Sequence, residues 1–232
     1  MGDLGGIGPE ILFKALLNTK KINYIPVILG SLDSIQQLKL EPAFNNLNIT
    51  TIKSINRTHL ESGKTYFLNI SEIKNKIVIG KPNPENGSLS YSYIKTGIKY
   101  ALEKQIDALV TAPICKESLS LAKIPYTGHT TMLSDFCKSP NTSMGFYTAK
   151  LKTVLVTIHK PLAEVSSLLT KNNLTIAINN TLLFAKLLNI KNPRIAIAGL
   201  NPHAGEQGLF GTEEKKIIEP VLNEYKKKKI YI

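Results

Sequence analysis

The chain has four histidines, and three of them stand among residues that could do chemistry. His129 lies in YTGHTTM, between a glycine and two threonines. An imidazole and the hydroxyls of Thr130 and Thr131 can all donate, as an anion or phosphate site requires. The same stretch also reads as a capping turn, with Thr130 or Thr131 starting the next helix, and spacing leaves both open. His159 follows TVLVTI directly, and His203 lies in NPHAGE after RIAIA. Two imidazoles just past two strand ends could share one rim of a sheet. A metal site, however, normally takes three or more protein ligands, and histidine has many ordinary uses. Spacing alone therefore favours two unrelated loop residues. His59, in a polar stretch without a partner, reads as a surface residue.

Two further segments could line such a site. The chain opens MGDLGGIGPE, whose glycines would let backbone N–H groups approach an anion and whose Pro9 suits a first helical position. The spacing is not that of the GxGxxG dinucleotide loop, and no strand precedes it. TAPICK, residues 111–116, follows the apolar run DALVT. Ligands of open parallel sheets bind beyond the carboxyl ends of the strands, where TAPICK, His159 and NPHAGE would all fall.

The elements that must position these residues alternate between strand and helix patterns. Residues 24–29, 66–70, 107–111, 154–158 and 194–198 read as strands, several closed by glycine or proline. Ile94, Ile98, Ala101 and Leu102 share a helical face, with Ser90 or Ser92 as the expected cap; Ile178, Leu182 and Ala185 mark another helix. Near the end, Thr212 is the expected cap of a helix opened by Glu213 and Glu214, which Pro220 should end or kink. Strands alternating with helices predict parallel pairing in an α/β fold.

Composition narrows the class. The chain is 43% hydrophobic and 20% charged, ordinary for a globular protein. No apolar run is long enough to span a bilayer and the N-terminus lacks a signal-peptide pattern, so the expected location is cytoplasmic, without a membrane partner. Cys115 and Cys137 are too few for a disulfide framework and read as buried or inert thiols. The net charge of +12 comes from lysines scattered along the chain. With no zinc-finger spacing and no interleaved basic and aromatic motif, no nucleic-acid partner is expected.

Taken in order, GDLGGIGPE, DALVTAPICKESL, IPYTGHTTML, TIHKPLAEV and GLNPHAGEQGLFGTEE resemble the 4-hydroxythreonine-4-phosphate dehydrogenase family of pyridoxal phosphate biosynthesis across essentially the whole chain. The resemblance implies an isocitrate/isopropylmalate dehydrogenase-like fold: two α/β lobes with a cleft between them, here 1–118 and a partial 119–232. It implies oxidation of 4-phosphooxy-threonine by NAD or NADP, followed by decarboxylation. It also implies a homodimer and a divalent metal ion (Zn, Mg or Co) held by three histidines. His159 and His203 match two of those ligands, and His129 and Thr130 match substrate-binding positions. Related enzymes act on threonate or erythronate 4-phosphate, and these motifs do not separate the substrates; a non-catalytic remnant is the further alternative. Leu4 and Gly5 stand where the family usually has Pro and Ala, and Cys115 replaces a frequent Asn. The family also has a strand before its Met-Gly-Asp and continues past the position of Ile232. That continuation carries the third metal histidine in a His-Asp-Gln-Gly segment. The expectation is therefore a fragment, inactive alone, whose opening turn is the least ordered part of the expected site.

Overall fold

Tyr66–Asn69 (β3) is buried along three successive residues, the pattern of a strand covered on both faces. The computed structural model, which describes residues 1–18 and 23–232, shows what covers it. β3 is the middle strand of a parallel sheet, between β1 (Val27–Gly30) and β2 (Thr50–Ile52). Phe67 sits in register with Ile28, and on that face Phe44 stacks edge-on against Phe67 at 5.8 Å and leans on Phe13 at 6.4 Å. Phe13 belongs to α1 (Gly8–Asn18) and Phe44 to α3 (Glu41–Asn46), which follows the short α2 (Asp33–Gln37). Side chains alternate along a strand, so Leu29 points the other way. It meets α4 (Pro84–Leu102) at Gly97, and Tyr93 of α4 shares a 2.6 Å hydrogen bond with Ser31 just past β1. Helices on both faces of a parallel sheet make this an α/β fold.

Two short helices, α5 (Lys116–Leu121) and α6 (His129–Phe136), complete the first unit, Met1–Ser139. α5 and α4 approach closely: a Cβ on Gly87 would lie 2.1 Å from the Ser118 carbonyl oxygen. The boundary expected after residue 118 falls inside α5, which contacts keep with α4.

The second unit, Pro140–Ile232, has its own core. Leu174 and Ile178 of α8 (Lys171–Leu187) pack with Ile218, Val221 and Tyr225. Tyr225 belongs to α9 (Glu219–Lys227), and its hydroxyl donates to Asn179 Oδ1 at 2.7 Å. β4 (Gly145–Tyr147) and β5 (Lys152–Val154) form an antiparallel hairpin, and α7 (Leu162–Leu168) leads into α8.

Several expectations need correction. The strand read at 154–158 is β5, which starts at Lys152, ends at Val154 and pairs antiparallel. The runs 107–111 and 194–198 join no ladder among the described residues. Val110 is 91% exposed, and Ile195 makes one backbone bond, to the Tyr231 carbonyl at 3.0 Å. An apolar run becomes a strand only where a neighbour pairs with it; beside 107–113 the backbone bond to another segment, among the described residues, is the one from the Asp3 N–H to the Pro113 carbonyl, at 3.0 Å, while Leu109 packs on α4 by its side chain. α4 is capped by Asn83, not Ser90 or Ser92; the Asn83 side chain accepts the Glu85 N–H at 2.7 Å and Pro84 takes the first helical position. The residue before the π turn is Glu213, which makes no side-chain cap bond, while the Thr212 carbonyl accepts the Lys216 N–H at 2.8 Å. Pro220 does not end its helix: a π turn at Glu214–Ile218 precedes α9, and Pro220 sits in the first turn of α9, where a missing N–H costs little. Cys137 is exposed, whereas the Cys115 thiol accepts the Ser118 N–H at the head of α5.

Candidate functional site

The opening loop is packed, contrary to the expectation of a loose turn. Met1–Gly5 are all buried. The Met1 nitrogen donates to the Leu29 carbonyl at 2.7 Å and the Asp3 N–H to the Pro113 carbonyl at 3.0 Å. Gly2 is held at φ +77°, and a Cβ there would lie 2.4 Å from the Pro113 oxygen, so the close approach of these two segments requires glycine. Asp3 Oδ1 accepts the Gly5 N–H at 2.8 Å, closing the turn ahead of α1. The glycine loop and TAPICK thus meet beside the carboxyl end of β1, where a parallel sheet places its ligands.

His129 joins them. It is the first residue of α6, and Gly128 before it offers no side-chain cap. Burial holds its imidazole below the ordinary histidine pKa, opposed by a hydrogen bond with the Ala112 backbone. Its Nε2 is buried and has no partner among the described residues. Two more buried polar atoms in this unit share that condition, Asp3 Oδ2 and Asn86 Nδ2. Thr130 is exposed at the second position of α6, while the Thr131 hydroxyl donates to the Gly128 carbonyl at 2.9 Å. Lys116 Cε passes 3.9 Å from where a Gly128 Cβ would be, which brings a lysine stem beside the head of α6. Nothing in the spacing singled out Asn86, and Asp3 and Lys116 were named only as members of the opening loop and of TAPICK.

His159 and His203 both lie in the second unit, both exposed, and both with φ 51°. His203 opens a run of five left-handed residues, His203–Gln207, and its ring lies 6.3 Å from that of Phe210. Each is a suitable imidazole donor. Among the described residues, however, no group of three His, Cys, Asp or Glu side chains could hold a metal ion, so these two histidines do not complete a site. His59 is exposed in a 3-10 turn.

Glu213 and Glu214 do not act as a simple acidic helix start. Glu214 Oε1 accepts the N–H groups of Leu200 and Asn201 at 2.9 and 2.8 Å, and Asn201 Nδ2 donates to both glutamates. The Ser166 hydroxyl donates to Glu213, and together with Asn201 it holds that carboxyl down to about 2.

Known proteins resemble this chain in sequence and fold over nearly all its length. The family profile described as "Pyridoxal phosphate biosynthetic protein PdxA" matches residues 23–232. The 4-hydroxythreonine-4-phosphate dehydrogenase of Sulfurihydrogenibium is 38% identical over 96% of this chain and 68% of its own length. The D-threonate 4-phosphate dehydrogenase of Salmonella typhimurium is 34% identical over 98% of this chain and 70% of its own. The crystal structure of 4-hydroxythreonine-4-phosphate dehydrogenase from Klebsiella pneumoniae superposes with a TM-score of 0.86 at 29% identity, covering all of this chain and 70% of that one. A profile match over nearly all the chain and relatives well above 30% identity place it in one family: the chain belongs to the PdxA family of pyridoxal phosphate biosynthesis.

Proposed function

We propose that this chain carries the phosphate-binding part, and two metal-ligand positions, of an NAD- or NADP-dependent dehydrogenase acting on 4-phosphooxy-threonine. The observation that carries this reading is the unpartnered, buried Nε2 of His129 at the head of α6, beside Thr130 and the Lys116 stem. Helix N-terminal N–H groups, a hydroxyl and a cation form a seat for a phosphate dianion. With its other ring nitrogen bonded to the Ala112 backbone, His129 donates from Nε2 to the phosphate once ligand entry protonates the ring. In the reaction, the C3 hydride leaves to the nicotinamide, the hydroxyl proton leaves to a base, and the resulting β-keto acid releases carbon dioxide. A divalent ion, Zn, Mg or Co, belongs to the same reading, with His159 and His203 as two of its ligands. A homodimer, a cytoplasmic location and the two-lobed dehydrogenase architecture belong to it as well. No helix among the described residues is long and apolar enough to cross a membrane.

A second reading keeps the site and changes the substrate to threonate 4-phosphate, since a relative of that name matches 98% of the chain. Both substrates end in a phosphate, so one experiment serves both. Each is titrated into the protein while the His129 imidazole is followed by NMR. The expected result is a rise in the His129 pKa with phosphate-bearing ligands, lost in Thr130→Ala and absent with the dephosphorylated acids. The tighter binder names the substrate. A His129 signal that neither ligand moves would overturn the assignment.

A further inference from the structure

Five consecutive residues, His203, Ala204, Gly205, Glu206 and Gln207, have φ of 51°, 51°, 79°, 44° and 58°. Only Gly205 among them adopts this region without steric cost. Each of the other four places its Cβ too close to the following carbonyl oxygen. Such a run persists only where its surroundings over-determine it. The run lies in a 3-10 helix, Pro202–Gly208; at its ends the Ala204 N–H reaches the Asn201 carbonyl at 3.2 Å, the Leu209 N–H the Glu206 carbonyl at 3.1 Å and the Phe210 N–H the Gly205 carbonyl at 3.1 Å, and Lys215 Nζ reaches the Gln207 carbonyl at 2.7 Å.

A further constraint comes from outside the turn. Glu214 is 6% exposed, and its carboxylate takes both backbone N–H groups that lead into the turn, Leu200 and Asn201. Its other oxygen accepts Asn201 Nδ2 and lies 2.9 Å from where a Gly205 Cβ would be, directly against the middle of the run. We propose that Glu214 is the positioning residue of the His203 turn: one buried carboxylate fixes the entry of the strained run and fills the space at its centre. Asn201 extends the clamp to Glu213, which Ser166 of α7 anchors in turn. Why His203 should be presented this way rests on the reading that it is a metal ligand; the clamp itself does not.

The test uses the full chain with Glu214→Gln, which keeps shape and removes charge, and Asn201→Ser, which leaves the Glu214 backbone bonds in place. Amide exchange is measured at 200–201 and 203–210, with α8 as the internal standard of folding. In Glu214→Gln the turn amides should exchange about tenfold faster or more, since bonds to a charged acceptor are lost, while α8 is unchanged. Asn201→Ser should give a smaller increase. Adding Ala204→Gly to Glu214→Gln should recover part of the protection, because glycine lowers the cost of the left-handed turn. The left-handed signature in the 13C shifts of Ala204 should weaken in Glu214→Gln alone. Unchanged turn protection in both variants, an equal loss in α8, or no recovery with glycine would overturn the clamp. A titration with Zn2+ alone, in wild type and His203→Ala, tests the ligand reading separately. Zinc uptake indifferent to His203 removes that reading and leaves the exchange result standing.

Discussion

A histidine is useful in a site according to what its two nitrogens find. The His129 ring has a backbone contact at Ala112 and nothing at Nε2, and burial keeps its folded-state pKa below the ordinary value. Its contribution to stability is therefore full at and above the ordinary histidine range and is lost as pH falls beneath it. Bound phosphate reverses the sign by favouring the protonated ring. The histidines themselves were legible in the sequence, each in a distinctive segment. The backbone beneath them was not: nothing in the letters His-Ala-Gly-Glu-Gln, apart from the glycine, signals a left-handed run. That conformation yields a prediction opposite to the usual one for glycine. Gln207→Gly, at an exposed position with φ 58°, should raise stability by about 0.5–1 kcal/mol, since relief of the left-handed penalty exceeds the added unfolded-state entropy. Gln207→Val should lower it. Denaturant midpoints of the two variants check this, and a loss with glycine would show that the turn is not left-handed in solution.

Elements were legible where a local signal and a tertiary partner agreed. β1 and β3 were read within a few residues because their apolar runs are flanked by turns and paired in the sheet. α8 was found from its apolar spacing, and Ile178 and Leu182 of the face named there pack in the cluster of Val221 and Tyr225. The runs at 107–111 and 194–198 have equally strong local signals and no ladder, because strand formation is decided by a neighbour that a local pattern does not contain. The start of α4 was missed for the opposite reason. Asn83-Pro84 is an explicit cap and first position, but Gly87 three residues on looks like a helix breaker. Gly87 is there because the α5 backbone crosses against it. Gly87→Ala would gain helix propensity in isolation, yet its Cβ would strike the Ser118 carbonyl oxygen, a backbone atom that cannot rotate away. The expected result is a net loss of about 2–3 kcal/mol, of the order seen for overpacking in close contacts. Thermal unfolding of Gly87→Ala measures it; a gain in stability would mean that α4 and α5 do not pack this closely.

Over the whole molecule, charge sets a constraint that no single element shows. The chain carries 29 basic side chains against 17 acidic ones, so acidification removes its limited negative charge and adds to an existing excess of positive charge. Acidic groups with structural bonds should therefore shape the low-pH limit of stability. Glu213 is the clearest: hydrogen bonds from Ser166 first, then Asn201, lower it from 4.5 to about 2, and hydrogen bonds lower Glu214 as well. Because the folded-state value lies below the ordinary one, the stabilisation is complete above about pH 4.5 and is lost as pH falls toward 2. Glu213→Gln removes the titrating group but keeps most of its shape. Compared by denaturant unfolding across this range, wild type should be the more stable protein at neutral pH, and its advantage should close steadily between about pH 4.5 and 2. An advantage that did not change with pH would mean that the carboxylate charge is not what Ser166 and Asn201 hold. The same carboxylate lies one residue from the clamp on the His203 turn, so acid should loosen that turn before it unfolds the helices. Turn amides should thus lose protection at higher pH than those of α8, and the order of the two losses can be read from one exchange series.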